Sequence, residues 1–344
     1  MNKVNWGIIG LGNITKNFAE ALNNVDNALI KGVASKNENN LKLYKKKFHL
    51  EDKFCFNDYT DLIKCPEIDI IYIALPNSYH SKLIVEALKN KKNILVEKPA
   101  FINIEDLEVV KKLIEQNKIY FTEGFMYRHL PYFLKIKEIV TSNLLGNVIG
   151  LESSFNSKIY KQINFLGLKL MKPDLTNRLF NKDLGGGVIF DLGCYPLSFS
   201  TFINLNTYNV QLNDIKLEKV NKIYCESGVE IFSNIEINFN NKFRSKITCS
   251  FKDKFNQSTI INFEHGKLII KDSWKPKQNM MLELINRTNK SNINFKIQDN
   301  IYSYQIKNIS NHLLQKKTKP IFPSIAIDEI EINTKLLSEW INLK

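Results

Sequence analysis

The chain of 344 residues lacks the features that mark several classes of protein. Its five cysteines are odd in number and widely scattered, and no CxxC pair has the spacing of metal ligands. No apolar run approaches the length of a membrane span, and the N-terminal MNKVNWGIIGLG is too briefly apolar for a secretory signal. We therefore expect a reduced, cytoplasmic, globular protein with neither a metal site nor a membrane anchor.

A stripe of basic residues with interleaved aromatics is also lacking. The formal charge of +13 comes from lysines spread through the whole chain, which is typical of a solvated surface. We expect no nucleic-acid partner, although a basic surface could attract a phosphorylated ligand. The length exceeds that of one typical hydrophobic core, so two domains are expected.

The first third of the chain alternates strand and helix patterns. A short strand is predicted near Phe54, and longer buried strands are predicted at Val4 to Gly10, Ala28 to Ala34, Ile68 to Ala74 and Ile94 to Glu97. The predicted helices are Ile14 to Leu22, Asn37 to Phe48, one opened by Asp58, Tyr79 to Leu88, and one capped by Asn103 with Glu105 and Asp106 in its first turn. This alternation predicts an α/β domain over residues 1–123, with a doubly wound parallel sheet.

The pattern changes after residue 123. A helix around Leu130 to Val140 precedes strand-like segments rich in β-branched and aromatic residues, namely GNVIGLESSFN, SNIEINFN, FRSKITCSF and STIINF. Helical periodicity returns from Tyr302 to Lys344, broken at KPIFPS. Residues 124–344 are therefore predicted to form an α+β domain with an open, mainly antiparallel sheet, whose C-terminal helices could pack back on the first domain.

A glycine turn follows the first strand, in GIIGLGNI. Gly10 and Gly12 lack side chains where backbone amides could approach a pyrophosphate at a helix N-terminus, beside Asn13 and Ile14. Thr15 replaces the third glycine of the dinucleotide fingerprint, so an ordinary tight turn is the alternative.

The second strand ends in GVASKN, where NAD-binding proteins usually carry an acid for the ribose. Ser35 and Lys36 instead offer a hydroxyl and an ammonium suited to a 2′-phosphate. NADP is the predicted cofactor, with NAD as the alternative, and Lys36 as a solvated lysine is the other interpretation.

The stretch ILVEKPA would place Lys98 at the carboxyl end of a parallel strand, on the edge of the sheet that carries the glycine turn. Pro99 biases Lys98 away from helical geometry and stiffens the turn. Glu97 is expected to line the same site or to support the turn.

With these motifs the sequence resembles the glucose-fructose oxidoreductase, inositol dehydrogenase and rhizopine-catabolism family of nicotinamide-dependent oxidoreductases. The resemblance spans nearly the whole chain and rests on WGIIGLGNI, IALPNSYH, ILVEKPA, EGFMYRHLP and LGGGVIFDLGCYPLS. It implies a Rossmann domain, a second domain with an open sheet often used for dimerisation, and a lysine beside the nicotinamide, here Lys98. The family's second motif falls on Asp191 and Tyr195.

The resemblance implies hydride transfer between nicotinamide and a carbinol or carbonyl carbon. Tyr195 could be the acid/base, with Lys98 polarising the reacting oxygen and easing ionisation of the phenol, and these two roles could be exchanged. Asp191 would hold a sugar hydroxyl or orient the other two groups. A helix starting near Leu192 would place Asp191 and Tyr195 on one face, and a structural cap with a buried tyrosine is the alternative.

Weaker candidates come from the other motifs. Leu75, Pro76, Asn77 and His80 follow a strand end, and in related proteins such residues line the cofactor cleft. Arg128 and His129 match a junction that faces nicotinamide and substrate in the family, and either could instead anchor a helix.

The substrate is predicted to be a sugar or nucleotide-sugar, because the pattern with Tyr195 and the ASK segment is most similar to the NADP-dependent branch of dihydrodiol and xylose dehydrogenases and nucleotide-sugar 3-ketoreductases. Residues 156–181 would shape the pocket or form a dimer contact. A homodimer or homotetramer through the open sheet is expected. A dinucleotide-binding regulator without catalysis, or a dehydrogenase of a dihydrodiol or inositol, are the alternatives.

Overall fold

A computed structural model describes residues 2–166, 168–172, 174, 176–255, 257–297, 300–315 and 325–343. The chain forms two compact units, each with its own sheet. The first unit comprises Met1–Leu130 with Gln298–Ile330, and the second comprises Pro131–Ile297 with Glu331–Lys344. The predicted break at KPIFPS, residues 319–324, lies outside the described residues.

The strands in chain order are β1 (Val4–Ile9), β2 (Ala28–Ala34), β3 (Cys55–Phe56), β4 (Ile70–Ile73), β5 (Asn93–Val96), β6 (Phe121–Glu123), β7 (Val148–Asn156), β8 (Lys161–Phe165), β9 (Leu168–Lys172), β10 (Ile215–Tyr224), β11 (Glu230–Phe239), β12 (Phe243–Ser250), β13 (Ser258–Phe263), β14 (Gly266–Lys271), β15 (Asn279–Asn286) and β16 (Lys290–Lys296). The helices are α1 (Asn13–Asn23), α2 (Glu38–Phe48), α3 (Tyr59–Lys64), α4 (His80–Lys89), α5 (Glu105–Asn117), α6 (Pro131–Thr141), α7 (Cys194–Asn206), α8 (Tyr302–Gln315) and α9 (Ile327–Asn342).

The sheet of the first unit has six strands in the order β3-β2-β1-β4-β5-β6, and every pair is parallel. The predicted doubly wound sheet is confirmed. The strand order reverses between β1 and β4, and ligands of such sheets bind at the carboxyl ends of the strands beside this reversal. The loops after β1, β2, β4 and β5 therefore lie at the edge where a dinucleotide is expected.

The core of the first unit is aromatic around β1. Phe18 of α1 stacks on Tyr72 of β4 with ring centroids 3.8 Å apart, and Trp6 is fully buried beside Phe18. The Trp6 indole N–H donates to Ser310 Oγ at 3.1 Å, which fastens α8 onto the first strand. The same unit therefore contains residues from both ends of the chain.

One predicted helix cap is wrong. The N-cap position of α5 is Ile104, and no side-chain capping hydrogen bond is present there. Asn103 lies one residue too early for the N-cap position. Glu105 and Asp106 do occupy the first turn, as predicted, where carboxylates favour the helix dipole.

The second unit is built on an eight-stranded sheet in the order β10-β11-β12-β7-β13-β14-β15-β16, and β8 and β9 form a separate hairpin. Only the β12 and β7 pair is parallel among the described strands of this sheet, so the predicted mainly antiparallel sheet is confirmed. Along β12, Phe243, Ser245 and Ile247 are buried, whereas Arg244 and Lys246 are exposed. One face is covered by the core and the other faces outward.

A longer helical stretch, Lys182–Asn206, has the length and apolar composition of a membrane span, which the sequence analysis did not anticipate. Within it, 89% of the most apolar window is buried inside the protein. Core helices that are buried all round have this composition.

Candidate active site

The glycine turn after β1 fits a dinucleotide phosphate. Gly10 has a φ of +89°, and a Cβ there would lie 2.4 Å from the carbonyl oxygen of Ala74. The Thr15 hydroxyl donates to the Gly10 carbonyl at 2.7 Å, so the residue in place of the third glycine braces the turn. A Cβ on Gly12 would meet nothing within 4 Å among the described atoms. Space therefore opens beside Gly12, where a pyrophosphate is expected.

The N-terminus of α1 continues this cradle. The helix begins at Asn13, and Gly12 at its N-cap provides no side-chain cap. Asn13 and Ile14 are exposed. The first backbone N–H groups of a helix need acceptors, and an anion can supply them with help from the helix dipole. This geometry is compatible with dinucleotide contact by Asn13 and Ile14, and that contact stays a prediction.

Ser35 and Lys36 follow β2 and are placed differently. Ser35 is buried, and its hydroxyl accepts a hydrogen bond of 3.1 Å from the Asn37 N–H. Lys36 is exposed, and its ammonium lies 2.7 Å from Oδ2 of Asp58. This pairing raises the pKa of Lys36 and lowers the pKa of Asp58. The predicted phosphate contact of Lys36 thus has a carboxylate beside it that the sequence analysis missed.

The segment after β4 carries four of the candidates. Leu75 and Pro76 are half-buried, while Asn77 and His80 are buried. The His80 ring lies between two backbone carbonyls, with Nδ1 3.0 Å from the Pro99 oxygen and Nε2 2.9 Å from the Leu75 oxygen. His80 therefore ties the segment after β4 to the turn after β5. Cofactor contact by these four residues stays a prediction.

The EKP turn follows β5 at the same edge of the sheet. Lys98 is half-buried and precedes Pro99 through a cis peptide bond. The Glu97 carboxylate accepts a hydrogen bond from the Tyr72 hydroxyl, so Glu97 supports the turn. A buried carboxylate from β6, Glu123, accepts from the Ala100 N–H at 2.7 Å. Glu123 opens the EGFMYRHLP motif, but the sequence analysis gave its side chain no role.

Arg128 and His129 lie in the 3-10 turn Met126–His129, fully buried in the first unit. Arg128 pairs with the buried Glu329 of α9: Nη2 contacts Oε1, and Nη1 lies 3.4 Å from Oε2. Burial, with the Arg128 charge, lowers the pKa of His129 to about 3. This placement favours the anchoring alternative for both residues, and a ligand contact by Arg128 stays a prediction.

Asp191 and Tyr195 belong to one helical stretch of the second unit. The residues Ile189–Gly193 form a π-helix that runs directly into α7. The helix thus begins earlier than the predicted start near Leu192, because the Asp191 N–H already donates to the Gly187 carbonyl at 3.1 Å. A separation of four residues in such a stretch places both side chains on roughly one face. Short π-helices are frequent at functional sites.

The surroundings of the two side chains differ. Asp191 is half-buried, and its Oδ1 lies 4.0 Å from Nη2 of Arg178. The Tyr195 ring is largely buried and packs edge-on against Phe155, with centroids 5.2 Å apart, beside Trp274 at 6.0 Å. The phenol is held by aromatic packing, whereas the carboxylate keeps access to solvent and to a cation. Arg178 and Trp274 were not predicted.

The glycines before this helix serve the packing of a further carboxylate. Gly187 has a φ of +111°, and a Cβ there would lie 2.4 Å from Oε1 of Glu230. The same oxygen lies 3.3 Å from the Ile189 N–H, which donates to it at the start of the helical stretch. Burial raises the pKa of Glu230. The glycine run therefore lets a buried carboxylate reach the helix that carries Asp191 and Tyr195.

Two family models match the chain. Residues 4–125 match an oxidoreductase family with an NAD-binding Rossmann fold, and residues 133–269 match the GFO/IDH/MocA C-terminal domain. Together these matches cover most of both units. The strand order of the first sheet is that of a Rossmann domain, which agrees with the first match.

Individual proteins that are similar in sequence share a third or less of their aligned residues with this chain. A glucose-6-phosphate 3-dehydrogenase of Bacillus subtilis is 32% identical over 234 residues, which are 67% of this chain and 64% of that protein. A trans-1,2-dihydrobenzene-1,2-diol dehydrogenase of Xenopus tropicalis is 24% identical over 277 residues, which are 79% of this chain and 76% of that protein.

Among solved structures, KijD10, a 3-ketoreductase from Actinomadura kijaniata in complex with NADP and TDP-benzene, is similar with a TM-score of 0.81. It is 16% identical, and the likeness covers 98% of this chain and 96% of that chain. At this identity the likeness concerns the fold. The two family models show that the chain belongs to the GFO/IDH/MocA family of oxidoreductases.

Proposed function

We propose that the protein transfers a hydride between NADP and a carbinol or carbonyl carbon of a sugar or nucleotide-sugar. The observation that carries the proposal is the position of Lys98. It follows β5 at the sheet edge where the Gly10 turn and the uncapped start of α1 offer a dinucleotide site. Residues 1–123 would bind the dinucleotide, and residues 124–344 would bind substrate and mediate self-association.

The preference for NADP is supported by the residues after β2. Ser35 and Lys36 stand where an NAD-specific site carries a carboxylate for the ribose. A related structure was solved with NADP, and relatives act on glucose 6-phosphate or a dihydrodiol by their names. Asp58, paired with Lys36, would weaken the preference, so NAD remains the second candidate.

Proton transfer is assigned to Lys98 and Tyr195. Reduction of a carbonyl needs a proton at the oxygen as hydride reaches the carbon, and oxidation needs its removal. Either the ammonium or the phenol can hold that proton, with the other group polarising the oxygen. Asp191, partly exposed beside Arg178, would accept a hydrogen bond from a substrate hydroxyl. Bound nicotinamide would supply or accept the hydride.

Self-association is proposed through the outer face of the eight-stranded sheet. This face carries exposed charges such as Arg244, which lies 2.7 Å from Glu236, and neighbouring apolar side chains such as Ile260 and Ile269. A homodimer or homotetramer would cover it. We propose a cytoplasmic location, with no nucleic-acid partner. Light scattering of the purified protein would measure the oligomeric state, and a monomer at micromolar concentration would contradict the proposed self-association.

The first experiment pairs fluorescence titrations with NADPH and NADH, followed by a screen of sugar phosphates and nucleotide-sugars. We expect tighter binding of NADPH.

The second experiment replaces the proposed catalytic lysine. The Lys98→Met variant should bind the dinucleotide with nearly wild-type affinity and lose turnover, and Lys89→Met on the exposed surface of α4 is the matched control. A fully active Lys98→Met variant would exclude the proposed chemistry. Binding without turnover of any candidate substrate would favour the regulator alternative.

A further inference from the structure

Glu123 is a buried carboxylate directly beneath the turn that carries Lys98. It ends β6, is 3% exposed, and accepts a hydrogen bond of 2.7 Å from the Ala100 N–H through Oε1. Its Oε2 is buried and has no hydrogen-bond partner among the described residues. A buried carboxylate with one oxygen unpaired is costly when ionised, so it needs either a proton or a nearby cation.

The backbone around Glu123 holds it close to the turn. The Gly124 N–H donates to the Val96 carbonyl at 2.7 Å, and a Cβ on Gly124 would lie 3.0 Å from that same oxygen. His80 contacts the same turn, with its Nδ1 3.0 Å from the Pro99 carbonyl. The two residues after Lys98 are thus each fastened to a titratable side chain.

Without a proton, the Glu123 carboxylate adds a negative charge to a buried region whose other charged groups are already paired. Arg128 is committed to Glu329 in a buried ion pair, and the neighbouring His129 is neutral because its pKa lies at about 3. Burial, together with the Glu329 charge, raises the pKa of Glu123 to about 7. The Ala100 hydrogen bond, Arg128 and Lys98 act in the opposite direction. Arg128 and Lys98 are the two cations whose charges act on an ionised Glu123, and Lys98 is the one carried by the turn that Glu123 holds.

We propose that Glu123 is a positioning residue for Lys98. Its carboxylate holds the EKP turn through the Ala100 N–H, and its charge acts on the Lys98 ammonium. When Glu123 is ionised, attraction between the two charges keeps the proton on Lys98. When Glu123 is protonated, that attraction disappears and Lys98 gives up its proton more readily. The inference rests on the proposed function, because it assumes that Lys98 takes part in proton transfer.

The test compares the pH profile of kcat in the wild type and in Glu123→Gln. Glutamine keeps an acceptor for the Ala100 N–H and is neutral, so it resembles the protonated carboxyl and should fold. We expect a wild-type limb near pH 7 that is missing from Glu123→Gln, with dinucleotide affinity unchanged. Glu108→Gln, an exposed position on α5, controls for net charge and should keep the limb.

A second variant distinguishes titration of Glu123 from simple support of the turn. Glu329→Gln removes the like charge that raises the pKa of Glu123, so the limb should move to lower pH by about half a unit or more. An unchanged limb in Glu123→Gln, or an unmoved limb in Glu329→Gln, would overturn the inference. Full activity of Lys98→Met would instead refute the proposed function, so the two failures are distinguishable.

Discussion

The Nζ atom of Lys36 lies 2.7 Å from Oδ2 of Asp58, between the segments that follow the neighbouring strands β2 and β3. Both side chains are more than half exposed. The Lys36 ammonium, which we propose binds a 2′-phosphate, therefore already has a carboxylate partner. A phosphate that binds there must displace the Asp58 carboxylate or bind beside it despite their repulsion. Asp58 also caps α3, since its Oδ1 accepts from the Thr60 N–H at 2.8 Å.

Asp58→Asn should strengthen NADPH binding by about three- to tenfold, because it removes the competing negative charge. Asparagine is an equally good N-cap, so α3 should be preserved. NADH affinity should change little. Fluorescence titration measures both constants, and Asp52→Asn, which breaks the distant surface pair with Lys45, is the control. Weaker or unchanged NADPH binding in Asp58→Asn would rule out the segment after β2 as the phosphate site.

Gly10→Ala and Gly12→Ala should separate folding from binding. At Gly10 a methyl group would collide with the Ala74 carbonyl at positive φ, so we expect a loss of about 1–3 kcal/mol in unfolding free energy. At Gly12 the φ is −85° and the space is open, so stability should be retained. The added methyl would occupy the proposed pyrophosphate space, so dinucleotide affinity should fall. A Gly12→Ala variant with wild-type affinity would contradict this placement.

Five of the six strands of the first sheet were predicted, because parallel strands buried on both faces form continuous apolar runs, whereas the three-residue strand β6 was not predicted. Ala28–Ala34 is predicted and observed with the same bounds. Strand β16, KSNINFK, was not predicted, because Ile293 and Phe295 are its only apolar residues and Lys and Asn fill the rest. An edge strand of this composition lacks the pattern on which such a prediction depends.

The site was partly predictable for a related reason. Gly10, Lys98, Asp191 and Tyr195 belong to local motifs, so their neighbours in sequence indicate their chemistry. Glu123 opens the EGFMYRHLP motif, but its role could not be derived from its neighbours in sequence, because its environment comes from distant parts of the chain, including Glu329 of α9. The burial of Arg128 depends on the same residue. Long-range pairing of this kind cannot be derived from spacing.

The stability of the protein should fall with rising pH because of Glu123. Its folded pKa of about 7 lies above the ordinary 4.5, so between these values the folded state binds more protons than the unfolded state. The contribution of protonated Glu123 to the free energy of unfolding is fully present below about pH 4.5 and is lost as the pH rises through 7. Urea denaturation at pH 6 and pH 8 should show a loss of about 1–2 kcal/mol in the wild type that is absent in Glu123→Gln. Equal losses in the two proteins would assign the decline to other groups.

Arg128→Met should destabilise the first unit by about 3–5 kcal/mol, because it leaves the buried Glu329 without its cation. Replacing both partners, in Arg128→Met with Glu329→Leu, should recover much of this loss, since two apolar side chains need no charge partner. Urea denaturation of the two single variants and the double variant gives the coupling free energy directly. A double variant as unstable as the sum of the single variants would mean that the pair is not coupled. In that case the loss in Arg128→Met would come from the packing of the arginine side chain and not from an uncompensated carboxylate.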